Sequence, residues 1–360
     1  MNKLINFEKI DIDAIKYNIN YFKNKSNKNI IGVVKANGYG AIDYKVCEVL
    51  RDSGVSFFAV SSIYEALNIR KHGFDEDVLI LGYVNDEDMN IIRDNNLSII
   101  TSSYDFINKA DLKDIKIHIA IDTGMNRLGI KPKDAKEVYD LLIEKGAIVE
   151  GFMSHLYKSE EIGMEDTDKQ FKLFAEAYKT LNVDLKYVHI SATNGSLLLK
   201  DTITNYVRVG LGLLGFSDVD TNLKPAVSLY SLVTNCKLVY KGSGISYGHH
   251  YITNENEYIL TTSIGYADGF DRLHTGNNVY VDKQFGTIVG SICMDQMMIK
   301  VDKPVEIGKY IELFGPHIDI VERSKKLNTI VYELLVDISD RVTRVYFEDG
   351  EIVDTVSPRF

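Results

Sequence analysis

The amino-acid sequence predicts an α/β protein, a closed (β/α)8 barrel followed by a mostly antiparallel β domain. Three observations carry that expectation. Between residues 30 and 215, short β-branched apolar runs alternate with amphipathic stretches about eight times. Beyond residue 225 the runs become closely spaced, with turn residues between them and little helical periodicity. The 360-residue chain is 45% hydrophobic and 26% charged with only 5 prolines, so it can bury a sizeable core, and its length suggests two domains. Strand and helix alternating eight times match a closed barrel of the TIM type better than an open sheet. A doubly wound sheet is the competing arrangement.

The runs expected to form barrel strands are Ile30–Lys35, Phe57–Ser61, Val78–Gly82, Ser98–Thr101, Lys116–Asp122, Val149–His155, Tyr187–Ala192 and Val207–Gly215. The clearest helix between them is DAKEVYDLLIEKG, where Ala135, Val138, Tyr139 and Leu142 share a face, Pro132 precedes the start and Gly146 follows the end. After residue 225, SLVTNCKLVY, YILTTSIGY, NNVYVD, TIVGSICMDQMMIKV and KYIELFG read as antiparallel strands. The expected division is a barrel over 10–225 and a β domain over 226–360, joined by residues 1–9. There is no Ser/Gly linker and no internal repeat.

A net charge of −10, from 41 Lys+Arg against 51 Asp+Glu, repels phosphodiester backbones and anionic lipid surfaces, so nucleic acid and membrane are not expected partners. The opening residues mix charged and apolar side chains too closely for a signal or spanning segment, and the expected location is the cytoplasm. Cys47, Cys236 and Cys293 are odd in number and far apart, which fits reduced, packed thiols; the absence of a CxxC or His/Cys cluster argues against a metal.

In such barrels reactive groups gather where strands end. The first strand ends IIGVVKANGYG, so Lys35 follows an apolar run. By position alone it reads either as a strand cap or as a partly desolvated amine suited to Schiff-base chemistry. The seventh strand ends HISATNGS and the eighth contains VRVGLGLLG, which offer the Thr193 hydroxyl and bare backbone at Gly210 and Gly212 beside Arg208. These glycines suit a phosphate, and equally suit close backbone packing. Lysine and phosphate site on opposite sides of one barrel mouth imply a phosphorylated aldehyde, pyridoxal 5′-phosphate.

VVKANGYG, DTGMNRLGI, VRVGLGLLG, ISYG, SIGYADGFDR and GSICMDQ stand in an order and spacing that resembles the alanine racemase family, the fold-type III pyridoxal-phosphate racemases. The resemblance covers essentially the whole chain. It implies that Lys35 holds the cofactor and moves protons on one face of the substrate Cα, while Tyr247 serves the other, because return of a proton to its original side regenerates the starting enantiomer. A free tyrosine has a pKa near 10, so Tyr247 would need support. By resemblance His155 and Arg208 supply it, and Arg208 faces the pyridine nitrogen. Arginine stays protonated, so that nitrogen would accept a hydrogen bond and remain neutral. Without the other motifs, Tyr247 would read as a packed turn residue and His155 as a core histidine. The resemblance also implies phosphate contacts from Tyr39, Thr193, the backbone of Gly210 and Leu211, and Tyr332. It sets Arg127 near the substrate carboxylate, Met294 and Asp295 on a partner-subunit segment over the substrate, and Tyr266 at the entrance, in a homodimer with shared sites.

Three departures stand out. The family often carries a lysine two residues before DTGM, where this chain has Ala120, so an anion or a neighbouring amide would have to orient Arg127 instead. The loop after Lys35 reads GYGAI rather than AYGHG, and Ala192-Thr193 replaces a common Asn-Ser. The leading expectation is racemisation of alanine, supplying D-alanine for cell-wall peptides. The alternatives are a racemase of the same fold for serine or another amino acid, a barrel decarboxylase, which predicts an acid where Arg208 stands, and a cofactor-carrying binding protein without turnover.

Overall fold

The computed structural model describes residues 4–101, 103–161, 163, 165–220 and 222–357. Two compact units divide the chain: Ala14–Lys224, and Pro225–Phe360 together with Met1–Asp13. The strand β1 (Asn6–Asp11) belongs to the second unit.

The first unit carries β2 (Asn29–Val33), β3 (Phe57–Val60), β4 (Asp77–Ile80), β5 (Ser98–Ile100), β6 (Lys116–Ala120), β7 (Ile148–Met153), β8 (Tyr187–His189) and β9 (Tyr206–Val209). They pair in parallel in the order β8-β7-β6-β5-β4-β3-β2-β9. Asn205 N–H donates to Val188 O and Arg208 N–H to Ser191 O, each at 3.0 Å, and these bonds join the two ends of the sheet. The ring is closed, which decides for the barrel over the doubly wound sheet. Ile31, Phe58, Leu79, Ile99, Ile117, Phe152, Val188 and Val207 are buried in it. A parallel strand covered on both faces needs apolar residues at consecutive positions, hence runs rather than alternation. The helix Ala135–Glu144 buries Ala135, Val138 and Leu142 behind a turn containing Pro132, and Gly146 ends it at φ +75°.

Every strand stops short of the run expected for it. Lys35, His155, Thr193, Gly210 and Gly212 all lie past the last ladder residue of their strands, in short helices or irregular backbone. Apolar character continues beyond the hydrogen-bonded ladder because the barrel mouth is still packed.

In the second unit β1 joins β10 (Val227–Val239), β11 (Gly244–Ile245), β12 (Tyr251–Ile252), β13 (Glu257–Thr262), β14 (Asn278–Val281), β15 (Gln284–Val289), β16 (Met297–Val301), β17 (Tyr310–Phe314), β18 (Thr343–Glu348) and β19 (Glu351–Val356). Nine of these form one sheet in the order β13-β16-β15-β14-β17-β10-β1-β18-β19, with β10 also pairing β13. All pairs are antiparallel except β1 with β18. The first half of β10 alternates, burying Val227, Leu229, Ser231 and Val233 on one face. Glu8 and Arg344 sit opposite each other on β1 and β18, each 1% exposed, with Arg344 Nε 3.0 Å from Glu8 Oε2. The β domain also carries the helices Ile320–Lys326 and Val331–Val336, which the sequence did not signal because six or seven residues are too few to display helical periodicity.

Candidate active site

Lys35 follows β2 after one residue and opens a turn of unusual hand. Ala36 (φ 53°, ψ 49°), Asn37 (φ 54°, ψ 47°), Gly38 (φ 66°, ψ 33°) and Tyr39 (φ 56°) are all left-handed. For an L-residue that conformation costs roughly 1–2 kcal/mol, so such strain persists only where surroundings enforce it. Gly38 N–H bonds Val34 O at 2.8 Å, Asp43 N–H bonds Asn37 Oδ1 at 3.3 Å, and Ala36 N–H bonds Glu65 Oε1 at 2.7 Å. The turn presents Lys35 partly buried. Burial, followed by the charges of Arg127 and Arg208, pulls its ammonium below the usual lysine range, with Glu65 opposing. A shift in this direction favours the neutral amine, the form that condensation with an aldehyde requires.

Arg208, 3% exposed on β9, is held from several sides. Its Nη2 donates to Ser154 O (2.8 Å), Ile190 O (2.9 Å) and His155 Nδ1 (2.9 Å), and its Nη1 to His189 Nδ1 (2.5 Å). Burial and Arg127 bring the guanidinium down to about 9, so it remains charged at neutral pH. Because arginine only donates, both histidine Nδ1 atoms must accept. His189 Nε2 then carries a proton to His118 Nδ1 at 2.9 Å, and His118 Nε2 faces Glu150 Oε1 at 3.5 Å. Glu150 in turn accepts from Ser98 Oγ at 2.5 Å.

The expected phosphate contacts of the barrel unit converge. A Cβ on Gly210 would overlap the Tyr39 ring and hydroxyl, and one on Gly212 would overlap Phe22 and Thr193. Only glycine lets the backbone come this close. Thr193 Oγ1 accepts Gly212 N–H at 3.3 Å, and Leu211 opens the short turn Leu211–Leu214. Arg127 is exposed in a loop that folds back on β6: Ile130 N–H bonds Ala120 O at 2.8 Å, and Asp122 Oδ1 accepts Gly124 and Asn126 N–H at 3.0 Å each. Arg127 has no ion pair among the described residues. Ala120 is buried, its N–H on Thr101 Oγ1 at 2.9 Å.

Within the second unit, Tyr247, Met294 and Asp295 line one open cleft of about 730 Å³ with Ser246, Gly248, His249, Cys293, Gln296 and Met298. Tyr247 is 74% exposed between left-handed Ser246 and Gly248. Tyr266 N–H bonds Cys293 O at 3.1 Å and Ala267 N–H bonds Met294 O at 3.0 Å, so the Tyr266 turn lies on the Met294 loop; a side chain at Gly265 would strike both carbonyls. Asp295 pairs with Arg341 at 2.6 Å, and Arg341 also pairs with Asp268 at 3.1 Å. Tyr332, on the helix Val331–Val336, is half-exposed and outside the cleft lining. Sequence reasoning missed His189, His118, Glu150 and Glu65. A histidine inside the apolar runs KIHIA and YVHI was the available signal for the first two; the glutamates carried none that distinguishes them from surface residues.

Two family models match the chain one after the other: "Alanine racemase, N-terminal domain" over residues 10–218 and "Alanine racemase, C-terminal domain" over 226–346. An alanine racemase of Staphylococcus epidermidis is 33% identical, covering 95% of this chain and 94% of its own. The crystal structure of an alanine racemase from Bacillus anthracis with bound L-Ala-P superposes with a TM-score of 0.93 at 32% identity, covering 99% and 98% of the two chains. An alanine racemase of Clostridium difficile gives 0.94 at 31%, over the full length of both.

Proposed function

Because the chain belongs to the alanine racemase family, whose members depend on pyridoxal 5′-phosphate, we propose that it interconverts L- and D-alanine with Lys35 and Tyr247 as the two bases. The observation that carries this reading is the unbalanced positive barrel mouth. Lys35, Arg127 and Arg208 act on one another, and Glu65 opposes them at Lys35. Beside them Gly210 and Leu211 offer bare backbone against Tyr39, close to Thr193. That combination fits an anionic, phosphorylated aldehyde. When bound, the cofactor would supply the electron sink that acidifies the substrate Cα–H.

The chain's own residues do the rest. Lys35 Nζ holds the cofactor and takes or returns the Cα proton from one side; the Tyr247 hydroxyl does so from the other. Arg208, which can only donate and is held by His189, Ser154, His155 and Ile190, would donate to the ring nitrogen and so leave it unprotonated. Arg127 receives the substrate carboxylate. Tyr39, Thr193, Gly210, Leu211 and Tyr332 take the phosphate, and Met294, Asp295 and Tyr266 bound the substrate. His155, neutral beside Arg208, supports Tyr247.

Tyr247 and Met294 stand exposed in the second unit, so we assign them to the barrel mouth of a second copy: a two-fold homodimer with two shared sites, the barrel carrying the cofactor and the β unit completing the partner's site. No helix among the described residues is long and apolar enough to cross a membrane; a cytoplasmic enzyme supplying D-alanine for cell-wall synthesis fits that. The test is the purified chain with pyridoxal 5′-phosphate and L-alanine. Optical rotation should decay to zero, and persistent rotation overturns the reading; a kcat/KM for L-serine at or above that for L-alanine overturns the substrate alone.

A further inference from the structure

The Glu65 side chain holds the left-handed turn after Lys35 from outside. Glu65 Oε1 accepts Ala36 N–H at 2.7 Å, while Oε2 accepts Ser61 N–H at 2.7 Å and the Ser61 hydroxyl at 2.8 Å. A single carboxylate thus ties the segment after β2 to the segment after β3. Glu65 lies in the first turn of the helix Ile63–Lys71, whose N-cap Ser62 side chain accepts Glu65 N–H. A glutamate three residues after a serine N-cap ordinarily folds back onto the cap's own amide. Here it reaches past the cap and across to the neighbouring strand end. Ala36, the residue it grips, is a non-glycine in left-handed conformation and needs an external hold to remain there.

We infer that Glu65 is a positioning residue for Lys35: its carboxylate holds the strained turn that delivers the lysine amine, and its charge opposes the cations around that amine. The charged and titratable groups acting on Lys35 are Glu65, Arg127 and Arg208, and Lys35 acts on His155. Glu65 is the negative one of these, so its charge acts against loss of the amine's proton. The inference rests on Lys35 being the cofactor-bearing lysine.

Two variants separate the hold from the charge. Glu65→Gln removes the charge and leaves one acceptor oxygen for two strand ends; Glu65→Asp keeps the charge but is one methylene too short to span both. The first readout is the pH midpoint for acetic-anhydride labelling of Lys35 in the full chain freed of cofactor, followed by mass spectrometry. The second is kcat and KM of the holoenzyme for alanine. In Glu65→Gln the midpoint should fall by about one unit, as expected for loss of a neighbouring opposite charge. In Glu65→Asp it should stay near that of the unmodified chain. Both should lose kcat by roughly tenfold to hundredfold with KM changed far less. An unmoved midpoint in a folded Glu65→Gln chain, or undiminished kcat in either variant, overturns the inference. If Glu65→Gln loses its near-ultraviolet circular dichroism, Glu65→Asp decides: reduced kcat supports the hold and unchanged kcat refutes it. The labelling reads the Glu65–Lys35 coupling whether or not Lys35 carries the cofactor; borohydride reduction and peptide mapping of the unmodified chain test the latter separately.

Discussion

Arg208 Nη2 donates to His155 Nδ1 across 2.9 Å, which fixes the histidine as an acceptor at Nδ1 and puts its one proton on Nε2. Burial, then Arg208, Arg127 and Lys35, pulls His155 down to about 3. His155 should therefore remain the neutral Nε2–H tautomer from pH 5 to 9. Nitrogen-15 spectra of the holoenzyme check this, and a His155 titration near pH 6.5 would contradict it.

The same burial acts on His118, His189 and His274, the last also brought to about 3. Each has a folded pKa below its unfolded value, so below pH ~6.5 the unfolded chain binds protons that the folded chain refuses. Stability should fall as pH drops through that window, by up to about 1.4 kcal/mol per pH unit for each such histidine. Denaturant unfolding at pH 7.5 and 5.5 measures it; equal stability at the two would show these sites to be hydrated.

Gly210→Ala should weaken cofactor retention roughly tenfold to hundredfold, because a methyl group at this position must displace the Tyr39 ring at an overpacking cost of ~1–3 kcal/mol. Equilibrium binding of pyridoxal 5′-phosphate, with circular dichroism as the folding control, tests it. Unaltered affinity would remove Gly210 from the phosphate cradle.

Tyr247→Phe should impair racemisation in both directions while solvent deuterium exchange survives for one alanine enantiomer far better than for the other. Mixing Lys35→Ala chains with Tyr247→Phe chains should restore activity to one site of each heterodimer. Equal residual exchange from both enantiomers speaks against two bases, and no recovery after verified subunit exchange speaks against shared sites.

Glu8→Leu should destabilise the protein by about 3–5 kcal/mol, since it leaves the buried Arg344 guanidinium without its carboxylate. Adding Arg344→Met should recover only part of the loss. Arg344 also donates to Ser339 O, Val342 O and Ile338 O, and methionine cannot. A urea midpoint unchanged in Glu8→Leu would mean that the guanidinium finds water.

The barrel was legible in the sequence because strands buried on both faces must be apolar without interruption. Lys35 and Arg208 were legible through the motifs they sit in, since by position alone Lys35 reads equally as a strand cap. The strand ends were not: packing at the barrel mouth prolongs apolar character past the ladder, so His155 and Ala192 look like strand and lie beyond it.

Composition and order of motifs by themselves determined the repeated strand–helix alternation, the β domain and the family, because each is written in residues close together in the chain or in a pattern repeated along it; closure of the strands into a barrel was decided by the tertiary structure. Only the tertiary structure decided that Ala36 through Tyr39 turn left-handed, that a glutamate 29 residues beyond Ala36 grips the turn, and that His118, His189 and Arg208 form one buried line. Closing the barrel brings together the ends of strands far apart in sequence, and hydrogen bonds made there depend on distances that no local pattern encodes.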